Sequence, residues 1–315
     1  MRISFFTLVF GFLAFLFSYL LTPYFTEGDQ ILYHNFYMRM SESPDILIGI
    51  YDYNSMLGAQ EPIYFSLVYL LSPLIEKDLL FSIINGLIGY MFAIWAMKNK
   101  VHKPLIFLVF FTNYYVYALF FELERLKVGL FILLLLAVIH GARYRISLFL
   151  SSFAHFQIGA LLAASFPFKE SVSKIKKKSL KIRLLKIIFL CVFIILLGYF
   201  ADAIVGKIYY YSADITRDRV FDFFKPLAFT IMTILVAPRW ARKTVFLSGI
   251  AIIAISILVG ANRIAIFAFF IFMYWALQKN RGFNPYLLIT SIYFAYGGWF
   301  FLLNGIDTGN GYIPQ

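Results

Sequence analysis

The sequence is short of charge, and shortest of negative charge. Only 14% of its 315 residues are charged, with 28 Lys and Arg against 16 Asp and Glu. A soluble domain of this length carries about 25% charged residues. That shortfall, with a mean hydropathy of +0.80, excludes a chain whose surface faces water throughout; lipid is the surrounding it fits. Cysteine is nearly missing as well. The single Cys191 lies inside an apolar run, which excludes an internal disulfide and a cysteine-rich metal site and leaves it a packing role. No Walker loop, dinucleotide glycine fingerprint or His-Glu-x-x-His motif occurs, so nucleotide-driven transport and zinc proteolysis lack a motif. There is no sequence repeat, low-complexity linker or soluble domain.

Aromatic rings are abundant: 38 Phe and 22 Tyr contribute to an aromatic share of 20%, as expected of lipid-facing and interfacial surfaces. A net charge of +12 would raise nucleic acid in a soluble protein. Here the basic residues fall in short loops between apolar runs, which is an orientation signal, and no nucleic-acid partner is expected.

Apolar runs long enough to cross a bilayer occupy 4–22, 80–97, 104–121, 128–142, 184–204, 224–238, 244–260, 263–279 and 286–304. The first follows Met1-Arg2 without a small-residue cleavage site before Pro23, which reads as an uncleaved span. Two stretches fit less cleanly. Segment 62–75 is short and bounded by Pro62 and Pro73, and 146–168 has a polar middle of Ser151, Ser152, His155 and Gln157. With the N-terminus inside and both of these entering and leaving on one side, nineteen of the 28 Lys and Arg become cytoplasmic, and Glu170 is the one carboxylate there. A crossing at 146–168 would expose Lys174, Lys176, Lys177 and Lys178 and invert every later loop. The expectation is an all-α polytopic membrane protein. It has about nine transmembrane helices plus two partial or re-entrant helices in a single transmembrane domain over 1–315. Its C-terminus, segment 23–61 and loop 205–223 are external. Ile31, Tyr33, Phe36 and Tyr37 give 23–61 an apolar face fit for one or two surface-lying helices.

The candidates for chemistry gather on that external side. Glu122, Glu124, Arg125 and Lys127 stand at the mouth between two spans. They are either exposed ion pairs at helix ends or an anion site, in which the planar fork of Arg125 meets phosphate. Arg263 follows Gly260-Ala261-Asn262; it either snorkels to the interface or joins a helix N-terminus in binding an anion. His155 in its apolar segment is a structural histidine or a proton shuttle. His102 and His140 border cytoplasmic loops, and His34 is external. Asp29, Tyr33, Glu61 and the run Asp214, Arg217, Asp218, Arg219, Asp222 complete the external polar set. Tyr209-Tyr210-Tyr211 precedes that run, as a stacking surface for sugars or as part of an aromatic belt.

In their order along the chain, several of these pieces resemble the EpsG-like branch of the Wzy polysaccharide polymerases. Gly28-Asp29-Gln30-Ile31-Leu32-Tyr33 is similar to that family's external Asp…Tyr segment, and Glu61-Pro62-Ile63-Tyr64-Phe65 to its Glu-Pro-aromatic motif. Arg125 with Gly129 a turn later stands where the family has Arg followed by a small residue. His155-Phe156-Gln157-Ile158-Gly159 resembles its His-containing helix, and Arg263 matches a second Arg. Leu126-Lys127 departs from the usual polar and small residues after the first Arg, and the chain is compact for the family. The resemblance implies a fold like the GT-C-type glycosyltransferases. The implied reaction is glycosyl transfer from an undecaprenyl-diphosphate-linked donor at the external face of the bacterial inner membrane. Arg125 and Arg263 would meet the diphosphate, and Glu124, Asp29 or His155 would act as base. Tyr33, Glu61, Tyr211 and Arg217 would contact glycan. No metal or cofactor is implied; the partners implied are lipid-linked glycans, the bilayer, a chain-length regulator and a flippase.

Two other classes compete. A glycolipid flippase or transporter should show charges along a transport path and an internal repeat, and the sequence shows neither. A membrane-bound O-acyltransferase would use His155, but it usually has a larger chain, and nothing here marks an acyl-CoA site. An O-antigen ligase shares the chemistry but normally has a large external loop further along the chain.

Overall fold

The computed structural model describes residues 4–42, 45–140, 150–155, 158, 223–259 and 261–312, and among them every regular element is helical. Three helices are long and apolar enough to cross a membrane: Phe5–Tyr24, Lys77–Lys98 and Pro285–Thr308. The bent pair Lys103–Phe111 and Tyr114–Phe121 makes a fourth if counted as one span. The described residues are thus all-helical, with helices able to span a membrane. The chain divides into two compact units, Met1–Leu162 with Ala276–Gln315, and Ala163–Trp275.

In the first unit, α1 (Phe5–Leu21) lies against α5 (Lys77–Lys98). Small residues set the separation, because in lipid helices associate by close backbone approach and not by escape from water. A Cβ on Gly86 would stand 2.8 Å from that of Phe15, and one on Gly89 would stand 2.6 Å from that of Ala14. Towards one end the contact turns polar. Asn85 Nδ2 donates to Ser18 Oγ at 2.7 Å, and the Ser18 and Ser82 hydroxyls are 3.2 Å apart. The ring of Phe10 stacks among Phe107, Phe110 and Phe111, which seats α6 (Lys103–Phe111) against α1.

The run 104–121, expected as one uninterrupted span, is broken: α6 and α7 (Tyr114–Phe121) meet at 56°. The cause is local. Asn113 Oδ1 accepts from the N–H groups of Tyr115 and Val116, capping a new helix in the middle of an apolar run. Helix α7 in turn stops at Phe121, which leaves its last carbonyls to be satisfied elsewhere.

The polar segment after α1 forms α2 (Asp29–Ser41) and α3 (Ile46–Leu57). Asp45 caps α3 by accepting from Leu47 N–H at 2.8 Å, and Gly58 ends it in the left-handed region at φ 54°. Helix α3 buries Gly49 and Tyr53 but leaves Ile46, Leu47, Ile48, Ile50 and Tyr51 exposed, the apolar outer face of an interfacial helix. Pro62 opens α4 (Pro62–Leu71), where its missing N–H costs nothing. With ten residues it is about 15 Å long, half the hydrocarbon thickness. Helix α8 (Glu124–His140) starts four residues before the apolar run 128–142, so Glu124, Arg125 and Lys127 occupy its first turn and not a loop.

The second unit contains α9 (Phe224–Val236), α10 (Arg239–Val259) and most of α11 (Ala261–Gln278). Gly249 lets α10 approach α9 closely at Thr230, and Ala237, Ala241 and Val245 form a small core with Ile234 and Trp275. The basic group Arg239, Arg242 and Lys243, expected in a loop, lies in the first turns of α10. Back in the first unit, Asn284 Oδ1 caps α12 (Pro285–Thr308) by accepting from Leu287 N–H at 3.0 Å. The tail beyond α12 returns to the start of the unit, where Gly309 O accepts from Thr26 and Glu27 N–H, both at 3.0 Å. The expected span 184–204, the loop 205–223 up to Asp222, and most of 146–168 lie outside the described residues.

Candidate functional site: a buried ionic cluster

Between α7 and α8 the chain spends only Glu122 and Leu123 on the turn, and Leu123 O starts the new helix by accepting from Lys127 N–H at 2.8 Å. Glu124 at that N-terminus complements the helix dipole; Arg125 does not. Its charge is met from other elements. Arg125 Nη1 donates to both carboxylate oxygens of Glu61, at 3.2 and 3.4 Å, and Nε donates to Tyr33 Oη at 3.3 Å. No described residue accepts from its Nη2.

Glu61 is the N-cap residue of α4 and is 2% exposed. Besides Arg125 it accepts from Tyr53 Oη at 3.1 Å and Gln60 N–H at 3.3 Å, and its Oε1 lies 3.4 Å from His155 Nδ1. The turn that carries His155 is pinned to the start of α4 by Ile63 N–H, which donates to Phe153 O at 3.2 Å. Gly129, one turn after Arg125, admits this turn against α8. A Cβ there would stand 2.4 Å from Ile158 Cδ1, 3.3 Å from Ser151 O and 3.5 Å from His155 Cβ. Five separate stretches of chain thus supply one cluster. Burial pushes the phenols of Tyr33 and Tyr53 up, against the opposing pull of the Arg125 guanidinium, with Glu61 adding to the rise at Tyr53. Both therefore remain neutral hydroxyls at neutral pH.

A second set of bonds lies beside the first. Glu124 Oε1 is 3.0 Å from Lys77 Nζ, and its Oε2 accepts from Tyr64 Oη at 2.9 Å. Lys77 also donates to Gln30 Oε1 at 2.6 Å, and Gln30 Nε2 donates to Phe121 O at 2.6 Å, so the end of α7 finds a partner here. Lys127 Nζ donates to Phe120 O at 2.6 Å and lies 5.0 Å from the centroid of Phe81. The rings of Tyr33 and Tyr64, 6.1 Å apart, join the two sets. Glu122 faces the tail: its Oε1 accepts from Gly311 N–H at 3.1 Å. Burial raises its carboxyl from the ordinary 4.5 to about 7, although the Gly311 N–H pulls the other way.

Of the residues singled out in sequence, Tyr33, Glu61, Arg125 and His155 come together directly. Glu124 is adjacent but committed to Lys77 and Tyr64. Asp29, partly exposed, opens α2 one residue before Gln30. Arg263 lies in the first turn of α11, in the other unit, with its side chain outside the described residues; Tyr211 and Arg217 lie outside them altogether. Sequence reasoning missed Tyr53, Lys77 and Gln30. Lys77 reads as a loop charge before an apolar run, whereas Tyr64 stood within the Glu-Pro-aromatic motif as a visible signal. Among the described residues, no three His, Cys, Asp or Glu side chains gather as a metal ion requires.

Chemically, the cluster offers a guanidinium and an imidazole that share one carboxylate. At 9% each, Arg125 and His155 are its most exposed members, with Lys77 close behind at 8%. The chain matches no family model, no curated protein and no solved structure with which it was compared.

Proposed function

We propose that this protein is a Wzy-type polysaccharide polymerase. It joins undecaprenyl-diphosphate-linked repeat units by glycosyl transfer on the external face of the bacterial inner membrane. The observation that carries this reading is the meeting of Tyr33, Glu61, Arg125 and His155 in one buried cluster, four residues that the resemblance had picked out from separate stretches. In the reaction an acceptor hydroxyl attacks the anomeric carbon, the bond from that carbon to the diphosphate oxygen breaks, and the hydroxyl proton passes to a base. The departing diphosphate gathers negative charge, which Arg125 is suited to stabilise through Nη2. Of the three candidate bases, Glu124 is occupied by Lys77 and Tyr64, which leaves Asp29, partly exposed at the start of α2, and His155 as the groups able to take the proton.

The same reading carries the finer architecture: about nine spans in a GT-C-like arrangement, the N-terminus cytoplasmic and the C-terminus external. It also includes Arg263 as a second diphosphate contact, Tyr211 and Arg217 at the glycan, and a flippase and chain-length regulator as partners. The test is the glycan ladder of a deletion strain carrying the wild-type or the Arg125→Ala gene. Single-repeat glycolipid in the deletion and in Arg125→Ala, with a ladder restored by wild type, is the expected result. An unchanged ladder in the deletion strain would remove the polymerase and bring the transporter and acyltransferase forward.

A further inference from the structure

Glu61 stands between the permanent cation Arg125 and the titratable His155, and an anion bound at Arg125 would lie beside its charge. The Arg125 guanidinium and the Glu61 carboxylate are neutral together, and both are buried, with side-chain exposures of 11% and 2%. A diphosphate placed on Arg125 while Glu61 stays ionised would set like charges side by side in a medium that screens them poorly. His155 Nδ1, 3.4 Å from Glu61 Oε1, provides relief, because imidazole is the side chain that ordinarily gains its charge between pH 5 and 8.

We infer that Glu61 is a positioning residue that couples anion binding to proton uptake: a diphosphate engages Arg125 as His155 takes up one proton and becomes the counter-ion of Glu61. This rests on the anion-site reading above. Among the described residues, the charged and titratable groups around the Glu61–His155 pair include Arg125 from α8, Tyr33 from α2 and Tyr53 from α3. Tyr64 of α4, Glu124 and Lys77 stand behind them. Arg125 keeps its charge at any working pH, the tyrosines stay neutral, and Glu124 is matched by Lys77. The proton therefore falls to the pair.

The test uses the full chain in phosphatidylcholine nanodiscs, titrated calorimetrically with farnesyl diphosphate and, separately, inorganic pyrophosphate between pH 6 and 8. Two buffers of different ionisation enthalpy give the protons taken up. Wild type should bind more tightly as pH falls, by up to about tenfold per pH unit above the titration of the pair. Glu61→Gln should bind at pH 8 about as tightly as wild type at pH 6, with about one proton fewer taken up. The probe's own titration is common to both proteins and cancels in the difference. His155→Gln leaves the Arg125–Glu61 pair intact, so it reads the same proton even if Glu61→Gln fails to fold; it should lose the uptake and bind weakly throughout. Equal pH slopes in wild type and either folded variant overturn the coupling while leaving the anion site standing. No binding of either probe to wild type at any pH overturns both. Farnesyl diphosphate binding without pyrophosphate binding assigns the site to a lipid-linked diphosphate; binding of both assigns it to the diphosphate group alone.

Discussion

Two buried carboxylates lie within one cluster and are held in opposite ways. Glu124 has one oxygen on Lys77 and the other on Tyr64, and Lys77 is held in turn by Gln30. Every partner is buried, and the set ties α2, α4, α5 and α8 together. Glu61 is as deeply buried, but it is shared between Arg125 and His155 at the cluster's most exposed edge. A carboxylate closed on all sides holds a fold; one divided between a permanent cation and a titratable one can change partners. The expectation that Glu124, Asp29 or His155 supplies the base and that Glu61 contacts glycan is best tested by breaking each half separately.

The largest effect is expected at Arg125. Arg125→Ala leaves Glu61 without its main counter-ion, a loss of the kind that costs about 3–5 kcal/mol. It should abolish polymer and lower the melting temperature together. The same substitution at the other half, Lys77→Ala, strands Glu124 and should destabilise by a similar amount while whatever protein folds still makes polymer. A well-folded Lys77→Ala protein without activity would break the division between the halves.

The double change Lys77→Met with Glu124→Gln sharpens it. Replacing both members of a buried pair by groups of similar volume is often close to neutral. The double variant is therefore expected within about 1–2 kcal/mol of wild type and well above Lys77→Ala in a denaturation series, with its ladder retained. Loss of the ladder in a stable double variant would return Glu124 to the reaction.

How far the two halves were legible in the sequence follows from their geometry. The runs 4–22, 80–97 and 286–304, which are found as long apolar helices, were plain, since such runs need no partner to be recognised. The break at Thr112-Asn113 was not, because a single capping residue within an apolar run leaves no trace in composition. Arg125, Glu61, Tyr33 and His155 were legible because each is a polar residue beside apolar sequence, where its burial is costly. Their mutual bonds were not, since they join positions 64 and 92 residues apart. Lys77 was missed for a physical reason: at the first residue of a span, a snorkelling charge and a buried one look alike until the facing helix is known.

Gly129→Val tests the open half without touching a charge. Ile158 Cδ1 can yield, but the added methyls would press on Ser151 O and His155 Cβ and push the His155 turn from Glu61. Activity should fall by about 100-fold, the cost of a misplacement near 1 Å, with stability lowered by about 1–3 kcal/mol. Wild-type ladder length from Gly129→Val would show that the close approach of this turn to α8 does not serve the chemistry.

The smallest effect belongs to Glu122, which faces neither half but holds the tail through Gly311 N–H. Its carboxyl is raised by burial to about 7 from 4.5, so the folded protein holds this proton more tightly than the unfolded chain does. The stability it contributes is therefore fully present below about pH 4.5 and is lost as pH rises through about 7. The comparison that isolates Glu122 is wild type against Glu122→Gln, whose amide oxygen can still accept from Gly311 N–H. Between pH 8 and 5 the melting temperature of wild type should rise relative to the variant by a few degrees, with most of the change between pH 7 and 5. Parallel curves would mean that the tail is held by Gly309 O and its two N–H donors whatever the charge on Glu122.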